Sequence, residues 1–118
     1  MANPNIVNVA TIYGNVATQA VSTTTANIVQ NATGSNTVYK INTLSVSNVN
    51  NATYSITVEL NVAGANTSIA KNIAIPANSA LAIIGKDTMF YMLENSSLQL
   101  TASANTALQA ICSWEQIS

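Results

Sequence analysis

Apolar and polar residues alternate with a period of two wherever the pattern can be judged. Tyr54-Ser55-Ile56-Thr57-Val58-Glu59-Leu60-Asn61-Val62 is the clearest run, with every even position apolar or aromatic and every odd one polar. That is the signature of a strand with one face buried. Ser97-Leu98-Gln99-Leu100-Thr101-Ala102-Ser103 repeats it more briefly. No segment carries an apolar stripe at helical spacing, and the abundance of β-branched Val and Thr disfavours long helices. Reversals fall between the runs, at Thr33-Gly34-Ser35-Asn36, Ala63-Gly64-Ala65-Asn66, Gly85-Lys86-Asp87, Glu94-Asn95-Ser96 and Ala104-Asn105-Thr106. The pattern predicts strands over 6–13, 19–30, 37–49, 53–62, 67–75, 79–84, 88–93, 96–103 and 107–117. Pro76 lies between two of these runs and should end one.

The predicted fold is all-β, an antiparallel β-sandwich or small jelly roll of about 8 strands. Residues 31–118 form the sandwich domain, and residues 1–30 an N-terminal strand or arm that packs on it or on a neighbour. Two local features sharpen the expectation. Between Tyr39 and Val49 the apolar parity slips, odd at Tyr39 and Ile41 but even at Leu44 and Val46. One extra residue near Asn42-Thr43 would return both sets to one face, so a β-bulge is predicted there, with a change of sheet as the alternative. A two-residue turn at Gly64-Ala65, Gly first as in type II′, would place Leu60 opposite Ile69, Ile56 opposite Ile73 and Tyr54 opposite Ile75. The same register puts Lys71 opposite Val58 on an apolar face. There it should snorkel to the rim or meet a neighbouring subunit.

Charge changes the picture from fold to function. The 118 residues hold three lysines, four acids and no histidine, where an ordinary domain is about a quarter charged. Three scattered lysines cannot neutralise a run of phosphates, so nucleic acid is excluded as a partner. Without histidine, Ser-His-Asp and Cys-His catalysis is excluded and zinc loses its usual ligands. No Gly-x-Ser-x-Gly elbow and no Gly-rich phosphate loop occurs. Glu59, Asp87, Glu94 and Glu115 are scattered, with neither the pairing a glycosidase needs nor calcium-loop clustering. The single cysteine, Cys112, lies in an apolar run and reads as a buried, inert thiol. The expectation is a non-enzyme without metal or cofactor.

The start, Met1-Ala2-Asn3-Pro4-Asn5, has no basic n-region or apolar h-region, and Ala80-Leu81-Ala82-Ile83-Ile84 is too short to span a bilayer. Neither a secretory signal nor a membrane partner is therefore expected. Sequons at Asn31, Asn51, Asn66 and Asn95 are what so Asn- and Thr-rich a chain produces by chance. A net charge of −1 leaves little repulsion between copies, which favours association.

Several runs carry a resemblance. They are Ile75-Pro76-Ala77-Asn78-Ser79, Ile84-Gly85-Lys86-Asp87-Thr88, Tyr91-Met92-Leu93-Glu94-Asn95-Ser96-Ser97-Leu98, Leu100-Thr101-Ala102-Ser103-Ala104-Asn105 and the closing Ser113-Trp114-Glu115-Gln116-Ile117-Ser118. Together with the opening Met1-Ala2-Asn3-Pro4-Asn5-Ile6-Val7, they resemble small virion structural proteins of tailed phages, particularly cyanophages. The resemblance implies a β-rich virion component present in many copies and assembled in the host cytoplasm. The first function it suggests is a capsid decoration or cement protein. Such a protein would be a homotrimer or other symmetric oligomer, packed on the major capsid protein or another virion protein. A neck, tail or fibre-base position and a non-catalytic carbohydrate- or surface-binding module are the alternatives. Lys71, Trp114, Tyr91 and Glu94 are the candidate interface residues. Edges normally blunted by charge and proline are poor in both here, so covered sheet edges are expected.

Overall fold

The computed structural model describes residues 11–118. Nine strands run in chain order: β1 Ile12–Val21, β2 Ala26–Asn31, β3 Val38–Asn48, β4 Tyr54–Val62, β5 Ala65–Ile75, β6 Ala80–Ile84, β7 Phe90–Met92, β8 Ser96–Ala102 and β9 Leu108–Ile117. They form two antiparallel sheets with the orders β1-β9-β3-β6 and β2-β8-β4-β5, and β7 also pairs with β3. The pairings are nested: β1 with β9, β2 with β8, β3 with β6 and β7, β4 with β5. A long hairpin rolled on itself gives this order, which is the jelly-roll form of the sandwich. The all-β expectation is met, with each expected strand from 37 onward in place.

The first third differs from its sequence reading. The strand expected over 6–13 falls mostly outside the described residues, and the 19–30 run divides into the end of β1 and β2 around a bend at Thr23-Thr24. β1 and β2 contribute one hydrogen-bonded strand to each sheet.

The core lies between the sheets and follows from the alternation. Ile56 and Val58 of β4, Leu98 and Leu100 of β8, Leu44 and Val46 of β3, and Leu108, Ala110 and Cys112 of β9 are all buried in one cluster. Each fully buried Ile or Leu is worth about 1.5–3 kcal/mol relative to exposure.

The parity slip in β3 is a bulge. Ile41 faces Trp114 and Thr43 faces Ser113, leaving Asn42 as the extra residue. Ile41 and Leu44 thereby both reach the core despite their opposite parity. At the same point β3 exchanges its outer partner, β7 over Tyr39 to Ile41 for β6 over Leu44 to Ser47.

The β4–β5 hairpin is half as expected. Ile56 pairs with Ile73 and Tyr54 with Ile75, but Leu60 pairs with Thr67 rather than Ile69. The two-residue turn is Ala63-Gly64, with φ of 53° and 91°. Positive φ at both central residues is the type I′ geometry, whose twist matches the strands better than a turn one residue later. Register shifts on either side of Val58 then restore the expected pairs.

Buried asparagines fasten the loops. Asn48 Nδ2 donates to the carbonyls of Ala52 at 2.8 Å and Ile75 at 2.9 Å, while its Oδ1 accepts from the Asn50 N–H at 2.9 Å. Asn31 Nδ2 donates to the carbonyls of Thr37 and Met92, both at 3.0 Å, and its Oδ1 accepts from the Ser35 hydroxyl at 2.6 Å. An unpaired buried amide would cost about 1–3 kcal/mol.

Candidate assembly surface

The four interface candidates lie in different settings. Glu94 is 5% exposed. Its carboxylate accepts the backbone N–H groups of Gly34 at 2.9 Å and Asn36 at 2.8 Å, so it fastens the β2–β3 loop from within. Trp114 is half-buried and stacks on Tyr39 with ring centroids 5.9 Å apart. Its indole N–H is buried with no acceptor among the described residues. Lys71 is exposed on the edge strand β5, not opposite Val58 but within the bulge that faces Thr57. Tyr91 is 43% exposed on β7, opposite Lys40. Glu94 is therefore held inside the domain, Trp114 is partly covered by Tyr39, and Lys71 and Tyr91 lie at the surface.

No group of three or more His, Cys, Asp or Glu side chains able to hold a metal occurs among the described residues. Two concavities stand out, and neither gathers charge. One is a groove of about 330 Å³ on the outer side of the β1-β9-β3 sheet, lined by Thr18, Ala20, Ser47, Gln109 and Ile111 among others. The other is a notch of about 160 Å³ with an amide-and-hydroxyl lining that includes Gln30, Asn61, Asn95 and Ser97. Cys112 is fully buried, and burial pushes its thiol up to about 12, so it stays protonated and unreactive at neutral pH.

The surface feature that sequence reasoning missed is β1. Its side chains alternate between half-buried Asn15, Ala17 and Gln19 and exposed Gly14, Val16, Thr18 and Ala20. Val16 is 66% exposed and Ile12 55%, and Tyr13 is 58% exposed at the strand's start. Ile111 of the adjacent β9, 52% exposed, extends the apolar surface. Among the described residues β1 is an edge strand, with no charge and no proline, and its ladder with β9 runs from Ile12 to Val21 without a register shift. The signal in the sequence is its small uncharged residues, Gly14, Ala17 and Ala20, which dilute the apolar alternation and hide the strand.

The other edges are interrupted. β2 carries a register shift between Asn27 and Val29, β6 is five residues long, and β5 has two shifts plus Lys71.

No family model and no curated protein matches the sequence. Among solved structures, the fold is similar to that of a protein of Bacillus endospore appendages, described as a family of disulfide-linked pili. The two share 14% of residues at a TM-score of 0.55, over 92% of this chain and 87% of the other. At that identity the likeness speaks for the β-sandwich alone.

Proposed function

We propose that this chain is a non-enzymatic structural subunit of a tailed-phage virion, present in many copies and packed on the capsid as a decoration or cement protein. The observation that carries the reading is the uncharged, uninterrupted edge of β1 beside an apolar outer sheet face. Exposed edges of this length invite pairing and are normally blunted. An edge left unblunted beside exposed Val16, Ile12 and Ile111 fits a subunit covered in its working state. The mechanism is burial of area and strand pairing, with no bond made or broken in a substrate. A specific contact needs about 1,000 Å² of total buried surface, which the β1 edge and its flanking face would help to supply. The turn-and-strand runs that resemble those of small virion proteins support a multi-copy virion component, and the capsid setting is favoured by the jelly-roll form, which is frequent in capsid proteins. The low charge fits close packing between neutral faces.

A second reading follows from the likeness to the endospore appendage protein: a subunit of an extracellular filament. That relative belongs to disulfide-linked pili, whereas Cys112 here is buried and protonated, so a filament of this chain would hold together without that thiol.

Quantitative mass spectrometry of purified virions, with electron microscopy of particles labelled for this chain, tests the proposal. Copy number in proportion to the capsid lattice, with label over the shell, supports it. Label confined to the neck or tail moves the subunit within the virion. Absence from particles, with filaments formed by the purified chain, would replace the reading with the second.

A further inference from the structure

We infer that the edge of β1, unpaired among the described residues, is a self-recognition site, where a second copy of this chain pairs antiparallel about a twofold axis through Val16. This rests on the structural-subunit reading and names its first contact.

The backbone fixes which groups are on offer. The Thr11 N–H donates to the Ser118 carbonyl at 3.1 Å, and the Ser118 N–H to the Thr11 carbonyl at 3.0 Å. A pair that exchanges both bonds turns its N–H and C=O toward each other. Because the ladder continues unshifted from Ile12 to Val21, the odd residues of β1 bond to β9 throughout. The even residues Ile12, Gly14, Val16, Thr18 and Ala20 turn their N–H and C=O away from β9, toward the open edge. None is proline, so each of the five offers a donor and an acceptor.

An antiparallel partner must bring groups at the same spacing, and an identical strand does. Only the register centred on Val16 engages all five residues of both copies: Ile12 with Ala20, Gly14 with Thr18, Val16 with Val16. Moving the centre to residue 15 or 17 leaves an even residue without a counterpart inside the strand. The side chains agree with that register. On the exposed face, larger Ile12 meets smaller Ala20, and Gly14 leaves room for Thr18. The two most exposed large apolar side chains among the described residues of the two copies, Val16 and its equivalent, lie together at the centre. No charge occurs anywhere in β1 to oppose its copy.

A separate observation comes from the opposite face. Gln19 donates through Nε2 to the Asn27 carbonyl at 3.0 Å, but its Oε1 is buried and accepts no hydrogen bond among the described residues. In the Val16-centred register, position 19 stands opposite Tyr13 of the second copy. That tyrosine is exposed and its hydroxyl makes no hydrogen bond among the described residues, so the register brings a donor to the side of the sheet with the unpartnered acceptor.

Cysteine substitution in the full-length chain tests the register, because Cys112 is buried and leaves a quiet background. Facing residues of a hydrogen-bonded pair have Cα atoms about 5.5 Å apart, inside the span a disulfide bridges. Val16→Cys should therefore convert most of the chain to a covalent dimer under mild oxidant on non-reducing gels. Thr18→Cys, which faces Gly14 of the other copy, should stay monomeric on the same gels. Cross-linking of both variants alike, or of neither while the wild-type chain still associates in solution, overturns the twofold and leaves the multi-copy reading standing. No Val16→Cys cross-link, together with loss of association on deleting residues 1–10, would assign the edge to that segment of a neighbouring copy and also overturn it. A wild-type chain that is monomeric at every concentration and absent from virions fails the structural-subunit reading itself.

Discussion

β1 and β5 close opposite sheets of the same sandwich, and they treat their open edges in opposite ways. β5 is eleven residues long and is shifted in register at two places against β4. Asn72 within its bulge takes φ of 51°, Lys71 beside it carries a charge, and Pro76 follows the strand's last residue. Bulges, lysine and proline are the devices by which a sheet edge is kept from pairing. β1, ten residues long, has none of them. Only three lysines are present in the whole chain, and one is placed in the middle of β5. The comparison teaches that scarcity of charge is not uniform protection or uniform exposure. One edge carries the devices that block pairing, and the other, among the described residues, carries none.

The largest expected effect comes from two neighbouring substitutions in β1. The Ala17 N–H bonds to β9, so Ala17→Pro should cost about 2–4 kcal/mol by removing that bond and orphaning its acceptor. The Val16 N–H points to the open edge, and Val16→Pro should stay within about 1 kcal/mol of wild type while abolishing self-association. Urea midpoints measure the first difference and sedimentation the second. Equal destabilisation by the two would break the odd–even assignment. Cys112, paired with Ala17, provides a parallel readout. A thiol reagent at pH 8 should leave it untouched in wild type and Val16→Pro, and label it in Ala17→Pro. Because burial raises its pKa to about 12 from 9.0, its contribution to stability is fully present below pH 9 and is lost as pH rises toward 12.

A second test opens the closed edge. Deleting Asn72 together with Lys71→Thr removes one of the two irregularities of β5 and the charge beside it. The variant should associate through β5 at concentrations where wild type does not, seen as extra mass by light scattering. If it behaves as wild type, the bulge and the lysine are not what closes that edge. Lys71→Met alone should change stability by less than about 0.5 kcal/mol, because the side chain is already exposed. The smallest effect belongs to the hairpin turn. Ala63 takes a positive φ that disfavours alanine, and Ala63→Asn would create the Asn-Gly pair preferred in type I′ turns. A rise of about 0.5–1 kcal/mol in unfolding free energy, with association unchanged, is the expected outcome.

What the sequence revealed depended on how strongly burial wrote itself into the pattern. In β3, Tyr39, Ile41, Leu44 and Val46 are large enough that one misplaced residue shows in the pattern, which points to a bulge near Asn42-Thr43. In the β4–β5 hairpin the far pairs Ile56–Ile73 and Tyr54–Ile75, anchored by buried Ile56 and Ile75, were legible for the same reason. The near end was not, since β5 is exposed there and its apolar side chains do not constrain the register. β1 was hardest, because an edge strand half covered by its own sheet needs few large apolar residues. Of the four interface candidates, Glu94 is the one whose surroundings the sequence hid. A lone acid beside a turn looks solvent-facing, and only the fold brings the Gly34 and Asn36 N–H groups to its carboxylate.

The central claim is that this subunit is completed by pairing at β1, and the most direct test is sedimentation equilibrium of wild type beside Val16→Pro. The account predicts reversible, concentration-dependent association of the wild-type chain and a single species near 12.3 kDa for the variant at every concentration. Identical self-association of the two, with Val16→Pro folded, would contradict it.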